Sequence, residues 1–369
     1  MSVKLENDFA ELLKQKLQEA LEQRGKVNIV VAGKTGVGKS TLVNAVFQGN
    51  LAETGDGRPV TKTTREIKKD GIPLSIFDTR GLEISEYRDT VQELEKLVQD
   101  KRKSEDPNEH IHIAWVCVME GSRRIEDAEI KLVEMLDKYI PVVGVITKSV
   151  SDNGFRQTVQ DLLPQTRNVV RVRAIETIFD DGYTMPIMGL ENLVEITMNL
   201  VPETQRDALA AAQKVSVNYK LQRAHAVVGG AALTAGGAGA VPLPFSDALA
   251  IIPVQISMLA GISAVWGLPI STAFLGTLVS GAITGSAGTL VGRATAGALL
   301  KLIPGIGSTA GGAISAGVAS TLTIAFGEAY IASLYGLTKD DPNRIPTAEE
   351  IRDEFMRQLK SFKKEPAAG

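Results

Sequence analysis

The octapeptide GKTGVGKS, residues 33–40, constrains this chain more than any other stretch, because its three spaced glycines suit a backbone that wraps an anion. It follows KVNIVVAG, apolar and β-branched, and precedes STLVNAVFQ, whose apolar residues recur at helical spacing. The prediction is strand, loop, helix, the setting a phosphate-binding loop requires. In that setting the backbone amides of Gly33, Lys34, Thr35, Gly36, Val37, Gly38 and Lys39 can surround a β-phosphate. Lys39 can neutralise β- and γ-oxygens, and Ser40, with Thr41 beside it, can bring a hydroxyl to magnesium.

Further apolar runs, PLSIFDT, HIAWVCVM, PVVGVIT and NVVRVRA, alternate with helical patterns near 84–103, 125–139, 154–163 and 189–200. That alternation predicts an α/β domain over 26–201, with a mostly parallel sheet and ligands at the carboxyl ends of its strands. The first of these, PLSIFDT, leads into FDTRG, so Asp78 stands where magnesium is held through water and the Gly81 amide where a γ-phosphate is sensed. Between lies RPVTKTTREI, polar and threonine-rich, expected as a switch loop in which Thr64, ahead of Thr61 and Thr63, brings a second hydroxyl to the metal.

Composition narrows the rest. The 369 residues leave room for two domains at roughly 100–200 residues each. A formal net charge of −3 supplies no basic field, so nucleic acid is not an expected partner. Cys117 is the only cysteine, which excludes an intrachain disulfide and fits a reducing compartment. His110, His112 and His225 are too scattered for a metal site, and HIHIAWVCV reads as a buried strand. The N-terminal residues 1–25 lack an apolar signal core; they read as an amphipathic helix with Phe9, Leu12, Leu13, Leu17 and Leu21 on one face.

From Ala226 to Gly327 the only charged side chains are Asp247, Arg293 and Lys301. Residues 202–337 are therefore expected as a separate all-α, apolar, Gly/Ala-rich domain. The stretches near 270–292 and 302–327 have the length of about 20 residues that crossing a bilayer requires. Gly276, Gly281, Gly285, Gly288 and Gly292 would permit close helix contact, and Arg293 and Lys301 would mark the turn of a hairpin. Such helices can enter lipid or pack as an apolar bundle; Asp247 can serve function in lipid or cap the next helix. Residues 347–364 read as a capped amphipathic helix opening at Thr347, with Ile351, Phe355, Leu359 and Phe362 together. The two terminal helices can pair as a stalk or each cap the nearest domain.

The stretches GKTGVGKSTLVNAVF, TKTTREI and FDTRGLE resemble Era-like GTPases of the translation-factor-related class, over roughly residues 26–201. The resemblance implies a P-loop GTPase domain using GTP/GDP and Mg2+, with Ser40, Thr64 and Asp78 on the metal and Lys39, Thr64 and Gly81 in catalysis. It places VITKS in the role of the guanine-binding element: Thr147 replaces its asparagine, Lys148 is retained, and Val150 stands where its aspartate belongs. Asp152, two residues on, can take over that role or cap the following helix, and the Ala174 amide would reach the guanine oxygen. Leu82 stands where small regulatory GTPases place a water-orienting glutamine, which implies slow basal turnover and help from elsewhere, such as a dimer partner; Arg65, Arg80, Arg123 and Arg124 are candidate charge stabilisers. Gly36 replaces the asparagine of potassium-activated relatives. VPLPFSDALAIIPVQISMLAGISAVWG, residues 241–267, resembles the DUF697 domain, a membrane-associated helical module. Together these imply a cytoplasmic, membrane-associated guanine-nucleotide switch, with membrane lipids and a homodimer or larger assembly as partners. The alternatives are a dynamin-like or immunity-related-GTPase-like membrane-shaping protein and a soluble Era-like factor with an internal bundle.

Overall fold

The computed structural model describes residues 2–51, 58–59, 64–79, 87–238, 247–269, 271–276, 278 and 316–362. The chain divides into two compact units, Gly25–Ser216 and Met1–Arg24 with Val217–Gly369.

The first unit is built on a seven-stranded sheet ordered β2-β3-β4-β1-β5-β6-β7. Its strands are β1 (Val27–Ala32), β2 (Arg58–Pro59), β3 (Thr64–Lys68), β4 (Leu74–Thr79), β5 (Ile113–Met119), β6 (Val142–Thr147) and β7 (Asn168–Arg171). β1 pairs in parallel with β4 on one side and β5 on the other, and β6 and β7 continue in parallel. All six β1 residues are buried, as expected of a central parallel strand covered on both faces. The chain runs from β1 to β4 on one side and then to β5 on the other, so the carboxyl end of β1 is the switch point where such sheets open a crevice.

Helices α2 (Lys39–Val46), α3 (Tyr87–Arg102), α4 (Asp127–Asp137), α5 (Phe155–Leu162), α6 (Leu190–Leu200) and α7 (Glu203–Ala212) belong to this unit. Trp115 of β5 stacks on Phe47 at 5.6 Å between ring centres, and its indole N–H donates to Thr197 Oγ1 of α6 at 3.1 Å. A buried aromatic pair with its polar edge satisfied fixes the layer over the sheet.

Two features differ from the sequence reading. TREI, expected within a switch loop, forms with Lys68 the strand β3, antiparallel to β4, because Ile67 is buried and Glu66 accepts a 2.7 Å hydrogen bond from Ser75. The compact units divide at 216/217 rather than at 201/202. Helix α7 packs on β1 and β4, and Phe47 bridges to Gln213, which keeps that segment with the sheet.

The second unit contains α1 (Ser2–Arg24), α8 (Val217–Ala238), α9 (Asp247–Trp266), α10 (Ala316–Thr338) and α11 (Ala348–Phe362). Its core gathers Leu13 and Ala20 of α1, Ala224 and Val228 of α8, Trp266 of α9, Phe326 and Tyr330 of α10, and Ile351, Phe355 and Leu359 of α11. The contacts of α1 are with α9 and those of α11 with α10, so both terminal helices join one core. Leu12 and Leu17 are partly buried as the α1 pattern requires, whereas Leu21 is exposed. Thr347 and Glu350 form the expected cap, with Glu350 N donating to Thr347 Oγ1 and Thr347 N to Glu350 Oε2. Gly327 lies where a Cβ would meet Val228 at 2.5 Å, so its missing side chain sets how closely α10 and α8 approach.

Several polar groups inside this unit pair with one another, although Gln255 Oε1 is buried without a partner among the described residues. Ser263 and Tyr330 share a 2.7 Å hydrogen bond, Gln255 donates to Thr323 and Trp266 to Thr338. Lys220 is buried, donates to Trp266 O at 2.7 Å at the end of α9, and has its pKa pushed down to about 7 by burial. Among the described residues no helix is long and apolar enough to cross a membrane. Residues 279–315, with Gly281, Gly285, Gly288, Gly292, Arg293 and Lys301, and the side chains of Phe9, Asp247 and Phe362 lie outside the described residues.

Candidate nucleotide site

The loop between β1 and α2 has the backbone its sequence requires. Gly33, Gly36 and Gly38 take φ of 146°, 78° and 101°, values that side-chain-bearing residues rarely adopt. At Gly33 a Cβ would stand 2.5 Å from Cys117 O of β5, so only glycine lets the loop pass over the neighbouring strand. Within the loop the Val37 amide donates to Lys34 O at 3.4 Å, and the amide of Leu42 makes the first helical bond, to Gly38 O at 2.9 Å, so the first turn of α2 opens toward the loop. Thr35, Gly36, Ser40 and Thr41 are exposed, whereas Val37 is buried and anchors the loop. Lys39 Nζ donates to Gly33 O at 2.8 Å and Lys34 O at 3.2 Å, which curls the side chain back over the loop. Lys34 itself pairs with Glu126 and lies 3.8 Å from Glu129, the two acids of the α4 capping box.

Asp78 lies beside Val31 in the β1–β4 register, next to the strand that delivers the loop, and opposite Arg65 of β3. Its Oδ1 is buried without a hydrogen-bond partner among the described residues. Burial pushes its carboxyl above the usual range, opposed by the positive charges of Lys39 and Arg65. A buried carboxylate oxygen without a donor, beside a glycine-rich loop at a helix N-terminus, fits a cation held against phosphate. Thr64 opens β3 and is buried, one ladder step from Asp78. Gly81, with Thr61, Thr63, Arg80 and Leu82, lies outside the described residues.

The second half of the site follows β6. Thr147 Oγ1 donates to Val37 O at 2.6 Å, and Lys148 Nζ donates to Gly36 O at 2.8 Å, so the TKS segment is tied to the phosphate loop. Val150 is exposed, and Ser149 is buried with its amide on Val172 O. Asp152 Oδ1 accepts from Arg156 N at 2.8 Å, capping α5, and lies 3.6 Å from Arg171 Nε. Of the two roles weighed for Asp152, capping is the one with a hydrogen bond in the structure. Arg123 donates to Asp152 O and lies over Phe155, placing it on this loop. Ala174, half-buried, follows Arg173, whose guanidinium donates to Ser149 O at 2.8 Å and so joins the two expected base-contact loops.

Sequence reasoning missed Glu120, 4% exposed at the carboxyl end of β5. Its Oε2 accepts from Val150 N at 2.5 Å and Ser151 N at 2.8 Å, and its Oε1 accepts from Arg171 Nε at 2.8 Å. The available signal was an acid directly after the apolar run HIAWVCVM, where a strand reaches the ligand end of the sheet.

Residues 28–148 match the family described as 50S ribosome-binding GTPase. They form a P-loop GTPase domain. Curated relatives that match this chain include the tRNA modification GTPase MnmE of Alkaliphilus oremlandii, 26% identical over 60% of this chain and 45% of that protein. MnmE of Cupriavidus pinatubonensis is 34% identical over 39% of this chain and 31% of that protein, and human Septin-9 is 24% identical over 37% and 28%. The chain thus spans less than half the length of these relatives. The GTPase domain is of a family that uses GTP, GDP and Mg2+, which agrees with the loop, Lys39 and the unpartnered Asp78 oxygen.

Proposed function

We propose that this chain hydrolyses GTP to GDP and phosphate as a magnesium-dependent, Era-like switch, and that its helical unit, of DUF697 type, carries it to the cytoplasmic face of a membrane. The observation that carries the nucleotide half is the buried Asp78 oxygen without a donor among the described residues, one strand from a loop whose glycines take positive φ at the start of α2. Ser40, Thr64 and Asp78 would hold the metal, which when bound supplies positive charge to the β- and γ-oxygens. Lys39, released from Gly33 O and Lys34 O, adds charge to the same oxygens, and the loop amides orient them. Thr147, Lys148, Asp152 and Ala174 are the residues assigned to the base. Gly81, by its place in FDTRG, reports the γ-phosphate, and Leu82 has no group to orient water, so basal turnover is slow.

The membrane half rests on the near absence of charge from Ala226 to Gly327. Its test is flotation of the full chain with liposomes, without nucleotide and with GDP or a non-hydrolysable GTP analogue, with GTP and ATP hydrolysis recorded in the same samples. Flotation that changes with guanine nucleotide supports the switch. Protein that stays at the bottom of the gradient in all three states overturns the membrane half and leaves the nucleotide half standing on the hydrolysis data. A second reading, an internal bundle, is favoured by the inward pairing of Ser263 with Tyr330 and Trp266 with Thr338, which satisfies those polar groups within the described core. Nucleotide-dependent sedimentation of liposomes, or self-association, would favour the membrane-shaping alternative.

A further inference from the structure

Base selection needs atoms held still, and the loop after β6 is costly to hold. Lys148 and Asn153 take φ of 52° and 41°, left-handed values for residues with side chains. The position expected to carry a base-reading aspartate is Val150, exposed and without a carboxylate. Behind it, the Glu120 carboxylate takes two consecutive loop amides on one oxygen and the Arg171 guanidinium on the other. Arg171 also lies 2.7 Å from Glu120 through its terminal nitrogen and 3.6 Å from Asp152 through Nε. At 4% exposed, Glu120 has no free face toward a ligand; it acts on the loop from behind.

We propose that Glu120, braced by Arg171, is a positioning residue that sets the guanine preference of the site by fixing the backbone of residues 149–152. The proposal rests on the GTPase reading above and adds the origin of its base selectivity. Charge-assisted hydrogen bonds are short and directional, so two on adjacent amides fix the tilt of both peptide planes. Those planes lead from Lys148, tied to Gly36 O, to Asp152, tied to Arg156 N. With the carboxylate intact, the front of the loop presents one arrangement to the base. Without it, the loop samples several, and guanine loses its advantage while the phosphates, bound by another loop, keep theirs.

The test uses the full chain and competition of GDP, ADP and inorganic pyrophosphate against a fluorescent GDP. Glu120→Gln keeps the shape of the side chain but loses its charge and one acceptor oxygen. Its GDP affinity should fall about tenfold, with ADP and pyrophosphate changing less than about twofold. Arg171→Met should reduce the GDP-to-ADP ratio similarly, Arg171→Lys should restore part of it, and the double variant should lose no more than the worse single. The Arg171 variants carry the test if Glu120→Gln does not fold. Equal losses for all three ligands, or an unchanged GDP-to-ADP ratio, would overturn the proposal, as would a wild-type chain that binds GDP and ADP alike. A wild-type chain that binds no fluorescent GDP would instead overturn the GTPase reading on which it rests.

Discussion

The loops after β1 and β6 meet at one end of the sheet yet are built on opposite principles. The first binds with its own backbone, and three glycines at positive φ write its shape into eight consecutive residues. The second depends on acids and guanidiniums brought from elsewhere, with Glu120 30 residues from Val150 and 51 from Arg171. The difference teaches that phosphate binding tolerates little local change, whereas a base loop can depart from its usual letters as long as distant partners keep it still.

The sharpest break of that comparison would come from the phosphate loop. Lys39→Ala should lower GDP affinity by about 100-fold or more, about 2.7 kcal/mol, in titration calorimetry. Affinity within a few-fold of wild type would remove the loop from the site. Gly33→Ala should cost about 2–3 kcal/mol of unfolding free energy in a urea melt, since its Cβ would meet Cys117 O at 2.5 Å at a φ of 146°. An unchanged midpoint would show that the loop can shift off β5.

Thr147→Val tests the thread between the loops by removing the donor to Val37 O while keeping the volume. A loss of about 1 kcal/mol in stability is expected, with GDP affinity about tenfold lower. A change in stability alone would mean that the two loops act independently.

The Glu120 anchor has a pH signature. Burial raises its pKa, but hydrogen bonds from Val150 N, Arg171 and Ser151 N outweigh this and hold it below the usual glutamate range. A depressed folded value stabilises the unit above the unfolded glutamate pKa, about 4.3, and that stability is lost as pH falls through the folded value. The stability gap between wild type and Glu120→Gln should therefore be constant from pH 7 to about 5 and shrink below about 4. A gap that is unchanged at low pH would mean that charge does not hold the loop. The smallest effect is expected from Asp152→Asn: asparagine caps helices as well as aspartate, so stability should change by less than about 0.5 kcal/mol. A tenfold loss of GDP affinity in that variant would bear out its assignment to the base, and unchanged affinity would leave the side chain as a cap alone.

What the sequence made legible follows the same division. The five parallel runs and GKTGVGKS could be read because apolar runs and glycine spacing are local signals. β3 was hidden because threonines and charges resemble a loop until Ile67 is seen buried against the sheet. The sheet unit runs to Ser216 because Gln213 bridges back to Phe47, a pairing that no neighbouring residue announces. Asp152 could not be resolved from sequence, since one carboxylate at that position suits both a cap and a base. In the helical unit nothing local announced that Ser263, Gln255 and Trp266 would find partners on α10.

Cys117, whose carbonyl sets the limit on Gly33, has a buried thiol pushed up to about 12 by burial. A thiolate is needed for alkylation, so the native sheet should leave this sulfur unreactive toward labelling reagents at neutral pH. The chain has no other cysteine, so it carries its own reporter of opening: uptake of a thiol dye counts excursions of the central strands, and a cysteine placed on α11 could be labelled selectively without removing the native one.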